Sequence, residues 1–231
     1  MKILISDYDQ TLFTSIEGIK ENKTNIKKFR KEGNLFVIAT GRSFDDFMWV
    51  VNKHDLKYDY VFLNHGATIL DNSNNIFSNT YINNDILDNL KKDLSTANSL
   101  DYFCCSKLDS RLDFNHKDLT KINIEYKDNN TRENIFKNIK EKYSNYINIY
   151  PISDTKIEIV SKDSSKYIAA KSLLNKLDIK EKDVYVIGDG YSDIEMVKSF
   201  NGYCMKNSVD ELKEVAKKTY NSVSELINDI M

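Results

Sequence analysis

The sequence predicts an α/β protein: a doubly wound, parallel, Rossmann-like sheet forms the core, and an α+β unit is inserted into it. Two observations carry this prediction. Short apolar runs alternate with amphipathic stretches up to about residue 64 and again from about residue 166, the rhythm of strand–helix–strand units on a parallel sheet. Between about residues 77 and 157 the order becomes helix, two strands, helix, two strands, which suits a separate antiparallel layer. The expected division is a core of residues 1–76 and 158–231 with residues 77–157 inserted, and a chain of 231 residues holds both within ordinary domain sizes.

The first strand is expected at 2–7, where Ile3-Leu4-Ile5 runs into the polar segment DYDQT. An amphipathic helix follows near 22–32 with Ile26 and Phe29 inward, then a strand at 34–40. A helix near 44–54 is expected to pack through Phe47, Trp49 and Val50, before a strand at 59–64. In the insert, a helix near 84–95 precedes the strand-like runs SLDYFCC and KINIEYK. A second helix near 131–143 leads into NYINIYPI and TKIEIVS, which read as a hairpin around Ser153-Asp154. On return, Lys166 opens a helical pattern in which Ile168, Leu173, Leu174 and Leu177 recur at spacings near 3.6, with Ser164 or Ser165 as N-cap. A strand at 184–188, a short strand near 203–205 and helices after 208 and 222 complete the chain.

Composition narrows the function classes. Apolar residues make up 41% and aromatic residues 11%, enough for a sizeable core. A net charge of −2 argues against a nucleic-acid-binding surface, and the lysines are interleaved with acids, as over residues 132–142, in the manner of a solvated helix face. No run approaches the ~18 apolar residues a membrane span needs. The first residues already read as strand, which leaves no room for a signal peptide, so a cytoplasmic location is expected. Cys104, Cys105 and Cys204 show no metal-ligand spacing and are expected as reduced thiols.

The residues suited to chemistry stand at strand ends, where open α/β sheets place their ligand crevice. Asp7 and Asp9 are two apart, so their side chains share one side of an extended chain, and one carboxylate can attack while its neighbour handles a proton. Alone, the pair also reads as a strand exit into a polar loop. The run Leu35–Ala39 ends in Thr40, Gly41 and Arg42: a hydroxyl that can donate to a phosphate oxygen, a bare backbone N–H that can approach it, and a cation. Lys166 sits in the first turn of its helix against the helix dipole, a broken local rule of the kind found at functional sites. Lys171 and Lys176 on the same helix are read as surface residues. The run Val184–Ile187 delivers Asp189 between two glycines, with Asp193 four residues on; together with Asp7 these could surround a hard cation such as Mg²⁺. Alone, that segment is also a glycine-rich turn with an N-cap Asp.

In this order, DYDQT at 7–11, Thr-Gly-Arg at 40–42, Lys166 and GDGYSD at 188–193 resemble the haloacid dehalogenase (HAD) superfamily of aspartate-nucleophile phosphotransferases. The matching segments cover most of residues 1–70 and 160–210. The stretches VFLNHGATILD (61–71), TKIEIVS (155–161) and MKNS (205–208) resemble its Cof-type branch, whose members carry a large C2 (type IIB) cap domain inserted after the third core strand. Three positions depart from that pattern. Gln10 stands where glycine is usual, Ser192 replaces the Asn of GDGxND, and His65 occupies the Asn position of an Asn-Gly-Ala turn.

The resemblance implies a Mg²⁺-dependent phosphatase acting on small phosphorylated metabolites, sugar phosphates among them. It casts Asp7 as the nucleophile and Asp9 as the general acid and base. Asp7, Asp189, the Asp9 backbone carbonyl and, directly or through water, Asp193 are the implied metal ligands. Thr40, Gly41 and Lys166 are implied to hold the phosphoryl oxygens, with Arg42 and Asn207 touching the phosphate or the rest of the substrate. Specificity is expected from the cap, and which of Lys107, Arg111 and Asp113 face the crevice is left open. A phosphomutase would use the same Asp pair. A signalling receiver domain shares the Asp, Thr and Lys but needs neither Asp9 nor the insert, and a regulatory relative without activity would not need the acids.

Overall fold

The computed structural model describes residues 1–94 and 99–231. The chain begins with β1 (Ile3–Asp7), α1 (Ile16–Lys31), β2 (Leu35–Ala39), α2 (Phe44–His54) and β3 (Tyr60–Leu63), followed by β4 (Thr68–Asp71) and β5 (Ile76–Asn79). The middle of the chain forms α3 (Asn84–Leu94), β6 (Ser99–Ser106), β7 (Asp109–Leu112), β8 (Lys121–Tyr126), α4 (Asn129–Tyr143), β9 (Ile147–Pro151) and β10 (Lys156–Ser161). The last third supplies α5 (Lys166–Leu177), β11 (Val184–Gly188), α6 (Ile194–Ser199), β12 (Asn201–Met205), α7 (Asp210–Val215), β13 (Thr219–Tyr220) and α8 (Val223–Ile230).

Eight strands form one sheet in the order β13-β12-β11-β1-β2-β3-β4-β5, parallel from β13 to β3, with β4 and β5 added antiparallel. Burial on both faces explains the continuous apolar runs. In β1, Leu4 packs on one side with Ile26 and Phe29 of α1, Phe47 of α2 and Leu226 of α8. Ile3 and Ile5 pack on the other with Leu173 of α5, Val197 of α6 and Leu212 of α7. The five remaining strands form a second, antiparallel sheet in the order β7-β6-β8-β10-β9. Ile122, Ile124, Ile157 and Ile159 join Leu87 and Leu90 of α3 and Ile139 of α4 in a third core, and Lys121, Asn123, Glu125 and Glu158 alternate onto the other face. Pro151 lies in β9, an edge strand, where a missing N–H leaves no ladder bond unmade.

Several details differ from the sequence reading. Helix α1 starts at Ile16, about six residues early: Ser15 caps it, and its inward positions before Ile26 are Ile19 and two asparagines, Asn22 and Asn25. Asn22 is satisfied by donating to the Leu12 carbonyl and accepting from the Ser224 N–H. Trp49 is 58% exposed, whereas Phe47 and Val50 are buried, and the Lys53 ammonium lies 4.2 Å from the centre of the indole ring. Ile168 is also on the outer side of α5, whose buried face is Ala169, Ala170, Leu173 and Leu174. Strand β7 is an edge strand of the polar sequence DSRL, with no alternation to reveal it. Sheet membership shifts the crossings: β5 runs in the eight-stranded sheet and β10 in the five-stranded one, rather than the chain changing sheets at 77 and 157. The helix expected over 84–95 is seen as Asn84–Leu94, and residue 95 lies outside the described residues. Among the described residues, no helix is long and apolar enough to cross a membrane.

Candidate active site

From β1 the chain continues to β2 on one side of the sheet, whereas β11 lies on the other, so the C-terminal ends of β1 and β11 flank a topological switch point. A cavity of about 690 Å³ opens there, walled by the ends of the core strands and by one face of the second sheet. Asp7 ends β1, Thr40 follows β2 and Asp189 follows β11, so three separate strands deliver side chains to one place.

Lys166 is brought to them by α5. Ser165 caps that helix by accepting from the Ile168 N–H, and Gly66 packs so close to the cap that a Cβ there would lie 2.4 Å from the Ser165 carbonyl oxygen. The buried Lys166 ammonium donates to Asp7 Oδ1 at 2.5 Å and to Asp193 Oδ1 at 2.6 Å. The other oxygen of Asp193 accepts from the N–H groups of Asp189 and Gly190, at 3.1 and 3.0 Å. A Cβ on Gly188 would stand 2.3 Å from the Asp193 carboxyl carbon, so only glycine fits between strand and carboxylate. Thr11 donates to Asp189 Oδ1 at 2.6 Å.

One ammonium is bonded to two carboxylates with a third nearby, and the titration behaviour follows. Burial strips Lys166 of water, yet Asp193 and Asp7 outweigh that and hold it charged well above the usual lysine range. Asp7 is pushed well above the usual carboxylate range, first by burial, with Asp193 and Asp189 adding to the effect against the pull of Lys166. Asp189 is pushed up for the same first reason, with the Thr11 hydrogen bond opposing. The two directions agree physically: Lys166 is shared with Asp193, which leaves Asp7 short of positive charge.

Oxygens of Asp7, Asp189 and Asp193 all lie within 4.8 Å of one another, a hard donor set of the kind Mg²⁺ takes. Asp193 is already occupied by three donors, so Asp7 and Asp189 offer the open lone pairs. The Asp9 carboxylate stands outside this cluster. It accepts from Arg42 Nε at 2.9 Å and Nη2 at 2.8 Å, while the guanidinium carbon lies 5.3 Å from the centre of the Tyr8 ring.

Thr40 is buried, and its Oγ1 accepts from the Arg42 N–H at 3.2 Å. Gly41 lines the cavity under the His65 ring, where a Cβ would come within 2.6 Å of two imidazole atoms. Asn207, expected at the phosphate or the rest of the substrate, donates to the Gln10 carbonyl. Gln10 has φ 61°, a left-handed conformation that favours glycine, which accounts for the glycine usual there. Ser192 lines the cavity but makes no side-chain hydrogen bond among the described residues; backbone N–H groups and Lys166 satisfy the neighbouring Asp193 instead.

A second polar cluster went unread in the sequence. His65 Nε2 lies 2.6 Å from Glu158 Oε2, and Lys121 Nζ lies 2.7 Å from Glu158 Oε1, all buried against the same cavity. Burial alone would raise Glu158, but Lys121 and His65 overturn it and hold the carboxyl below its usual range; His65 is lowered by its own burial. The signal was the alternation Lys121-Ile122-Asn123-Ile124-Glu125, whose polar members all line the cavity. Of Lys107, Arg111 and Asp113, Arg111 alone lines it.

A doubly wound core with an inserted antiparallel layer and an Asp–Lys–Asp cluster at the switch point defines a class of aspartate-based hydrolases. The profile of the haloacid dehalogenase-like hydrolases matches residues 4–116 and 105–226, and the chain belongs to that family. An uncharacterized protein of Mycoplasma capricolum is 29% identical, with 91% of this chain and 92% of that protein covered. The 5-amino-6-(5-phospho-D-ribitylamino)uracil phosphatase of Bacillus subtilis is 22% identical, with 94% and 88% covered. Among solved structures, a haloacid dehalogenase-like hydrolase from B. subtilis superposes with a TM-score of 0.86 at 17% identity, each chain covered in full. A subclass IIB sugar phosphatase superposes with a TM-score of 0.81 at 14% identity, covering 99% of this chain and 98% of that one. At these identities the structural likenesses show the fold.

Proposed function

We infer that this protein is a Mg²⁺-dependent, cytoplasmic phosphatase that hydrolyses small phosphorylated metabolites through an aspartyl-phosphate, with sugar phosphates one such class. The observation that carries the reading is the convergence of Asp7, Asp189, Asp193 and Lys166, from separate stretches of chain, in one cavity lined also by Asp9 and Thr40. The phosphatases among the relatives support the substrate class. The three cysteines are free and buried, in keeping with a reducing compartment.

Phosphoryl transfer needs positioning and charge neutralisation more than covalent assistance. An oxygen of Asp7 attacks phosphorus in line and the ester P–O bond breaks. Asp9 gives the departing oxygen its proton, then takes one from the water that attacks the intermediate; that water's oxygen bonds to phosphorus as the Asp7–phosphorus bond breaks. Lys166 and the Thr40 hydroxyl hold phosphoryl oxygens. Bound by Asp7 and Asp189, Mg²⁺ supplies positive charge against the phosphoryl group and keeps the crowded acids ionised. The bidentate Arg42 contact suits the base form of Asp9; for proton donation the pair must open.

Asp9→Asn is expected to slow turnover of alkyl phosphates by about 10²–10⁴-fold, and that of p-nitrophenyl phosphate less, because its leaving group needs no proton. Equal losses for both in the burst phase, before the shared intermediate hydrolyses, would contradict the assigned role as acid. The sign of the pH effect on metal binding follows from the raised carboxyls. Between the ordinary carboxylate range and their higher folded values, Asp7 and Asp189 hold protons that the unfolded chain has lost. The metal-free fold therefore gains stability as pH falls through that window, while Mg²⁺ must displace the protons. Calorimetry should show Mg²⁺ affinity falling about tenfold per pH unit for each proton displaced. A screen of phosphorylated metabolites with Mg²⁺ tests the activity itself: free phosphate supports it, isomerised sugar phosphate would mark a mutase, and a folded protein that releases none would refute it.

A further inference from the structure

The loop Thr40-Gly41-Arg42 has all three of its carbonyls pinned. Thr40 O accepts from the His65 N–H and Arg42 O from the Asn64 N–H, both at 3.0 Å and both from the core. Gly41 O accepts instead from Lys121 Nζ at 2.6 Å, a side chain carried by β8 of the inserted sheet. The same ammonium is neutralised by Glu158 on β10, which Asn123 and His65 hold in turn. Lys121 is 1% exposed and Glu158 7%, so the insert drives a buried ion pair against this one peptide of the core.

The consequence follows from peptide planarity. Anchoring the Gly41 carbonyl sets the plane of the Gly41–Arg42 peptide, and with it the direction of the Arg42 N–H. That N–H donates to Thr40 Oγ1. A hydroxyl that already accepts a bond turns its own proton elsewhere, which here leaves the Thr40 O–H to donate into the cavity. We propose that Lys121 is a positioning residue: through the Gly41 carbonyl it aims the Thr40 hydroxyl at the phosphoryl group, so the phosphate site is complete only while the insert rests on the core. The inference builds on the phosphatase reading but concerns phosphate binding, which is measured separately.

The test uses the full-length protein with Mg²⁺ present. Lys121→Met alone would strand the Glu158 carboxylate, so the double variant Lys121→Met/Glu158→Gln, which removes both charges, is made beside it. Calorimetric affinity for inorganic phosphate is expected to weaken about tenfold or more in the folded variants, the scale of one hydrogen bond to a charged group. The kcat for p-nitrophenyl phosphate is expected to fall in step. Unchanged phosphate affinity and kcat with only a lower Tm would overturn the proposal, since Lys121 would then merely seat the insert. A raised KM with unchanged phosphate affinity would overturn it too, by making Lys121 a substrate contact, and so would a wild-type protein that binds no phosphate. If the wild-type protein binds phosphate but hydrolyses nothing, the phosphatase reading fails while the variants' phosphate affinity still decides the role of Lys121.

Discussion

Asp7→Asn is expected to abolish turnover, by about four orders of magnitude or more, while leaving the protein folded. The amide matches the carboxylate in shape but cannot attack phosphorus. The fold should tolerate the change because Asp7 is the carboxyl with the poorest charge balance: burial and two neighbouring acids push it up, and its one cation is shared with Asp193. Removing its charge relieves that crowding, so the metal-free Tm is expected to hold or rise, and the gain in Tm on adding Mg²⁺ to shrink. Phosphate release and thermal unfolding, each with and without Mg²⁺, check both halves. A folded Asp7→Asn protein with wild-type activity would refute the nucleophile assignment.

Lys166→Met is expected to damage stability and activity together. Its ammonium is the sole cation bonded to both Asp7 and Asp193 among the described residues. Taking it away leaves buried carboxylates uncompensated, a loss of about 3–5 kcal/mol at neutral pH. In a chain of this size that corresponds to a fall in Tm of about 10 °C. The sign in pH is fixed by the direction of the shift. Lys166 is held above its ordinary value, so its contribution is fully present below the unfolded lysine range and fades only as pH rises through the higher folded value. The deficit at pH 7 should therefore be complete, and it should narrow on acidification as the stranded acids take up protons. Turnover should fall by about 10²–10³-fold through loss of the cation at the phosphoryl oxygens. A variant with unchanged Tm at pH 7 would show that the ammonium does not hold this cluster together.

How legible these features were depends on whether they are local or come from distant contacts. The core strands could be read because both of their faces are buried, which writes an apolar run into the chain. The first turns of α1 could not, because only Ile19 is apolar among their inward positions, while Asn22 and Asn25 are inward too and have partners at Ser224 and Asn228, some two hundred residues on. Periodicity indicated a buried face for α2 and α5 but misjudged its limits: Trp49 is large and apolar yet mostly exposed beneath Lys53, and Ile168 lies outside a face of Ala169, Ala170, Leu173 and Leu174. In the site, Asp7, Asp189, Asp193 and Lys166 were legible as motif residues at strand and helix ends. Lys121 and Glu158 were not, since each is an ordinary charge on an alternating strand. What their polar face meets is decided only when the insert lies over the core. Nor was the partner of Asn207, the Gln10 carbonyl, legible, since it lies at the other end of the chain.

The most direct test of the account is chemical capture at residue 7. The protein is mixed with p-nitrophenyl phosphate and Mg²⁺, quenched in acid during turnover and reduced with borohydride, which converts an aspartyl-phosphate to homoserine. Peptide mass spectrometry should find homoserine at position 7 and nowhere else. Steady phosphate release with unmodified Asp7, or homoserine at another aspartate, would contradict it.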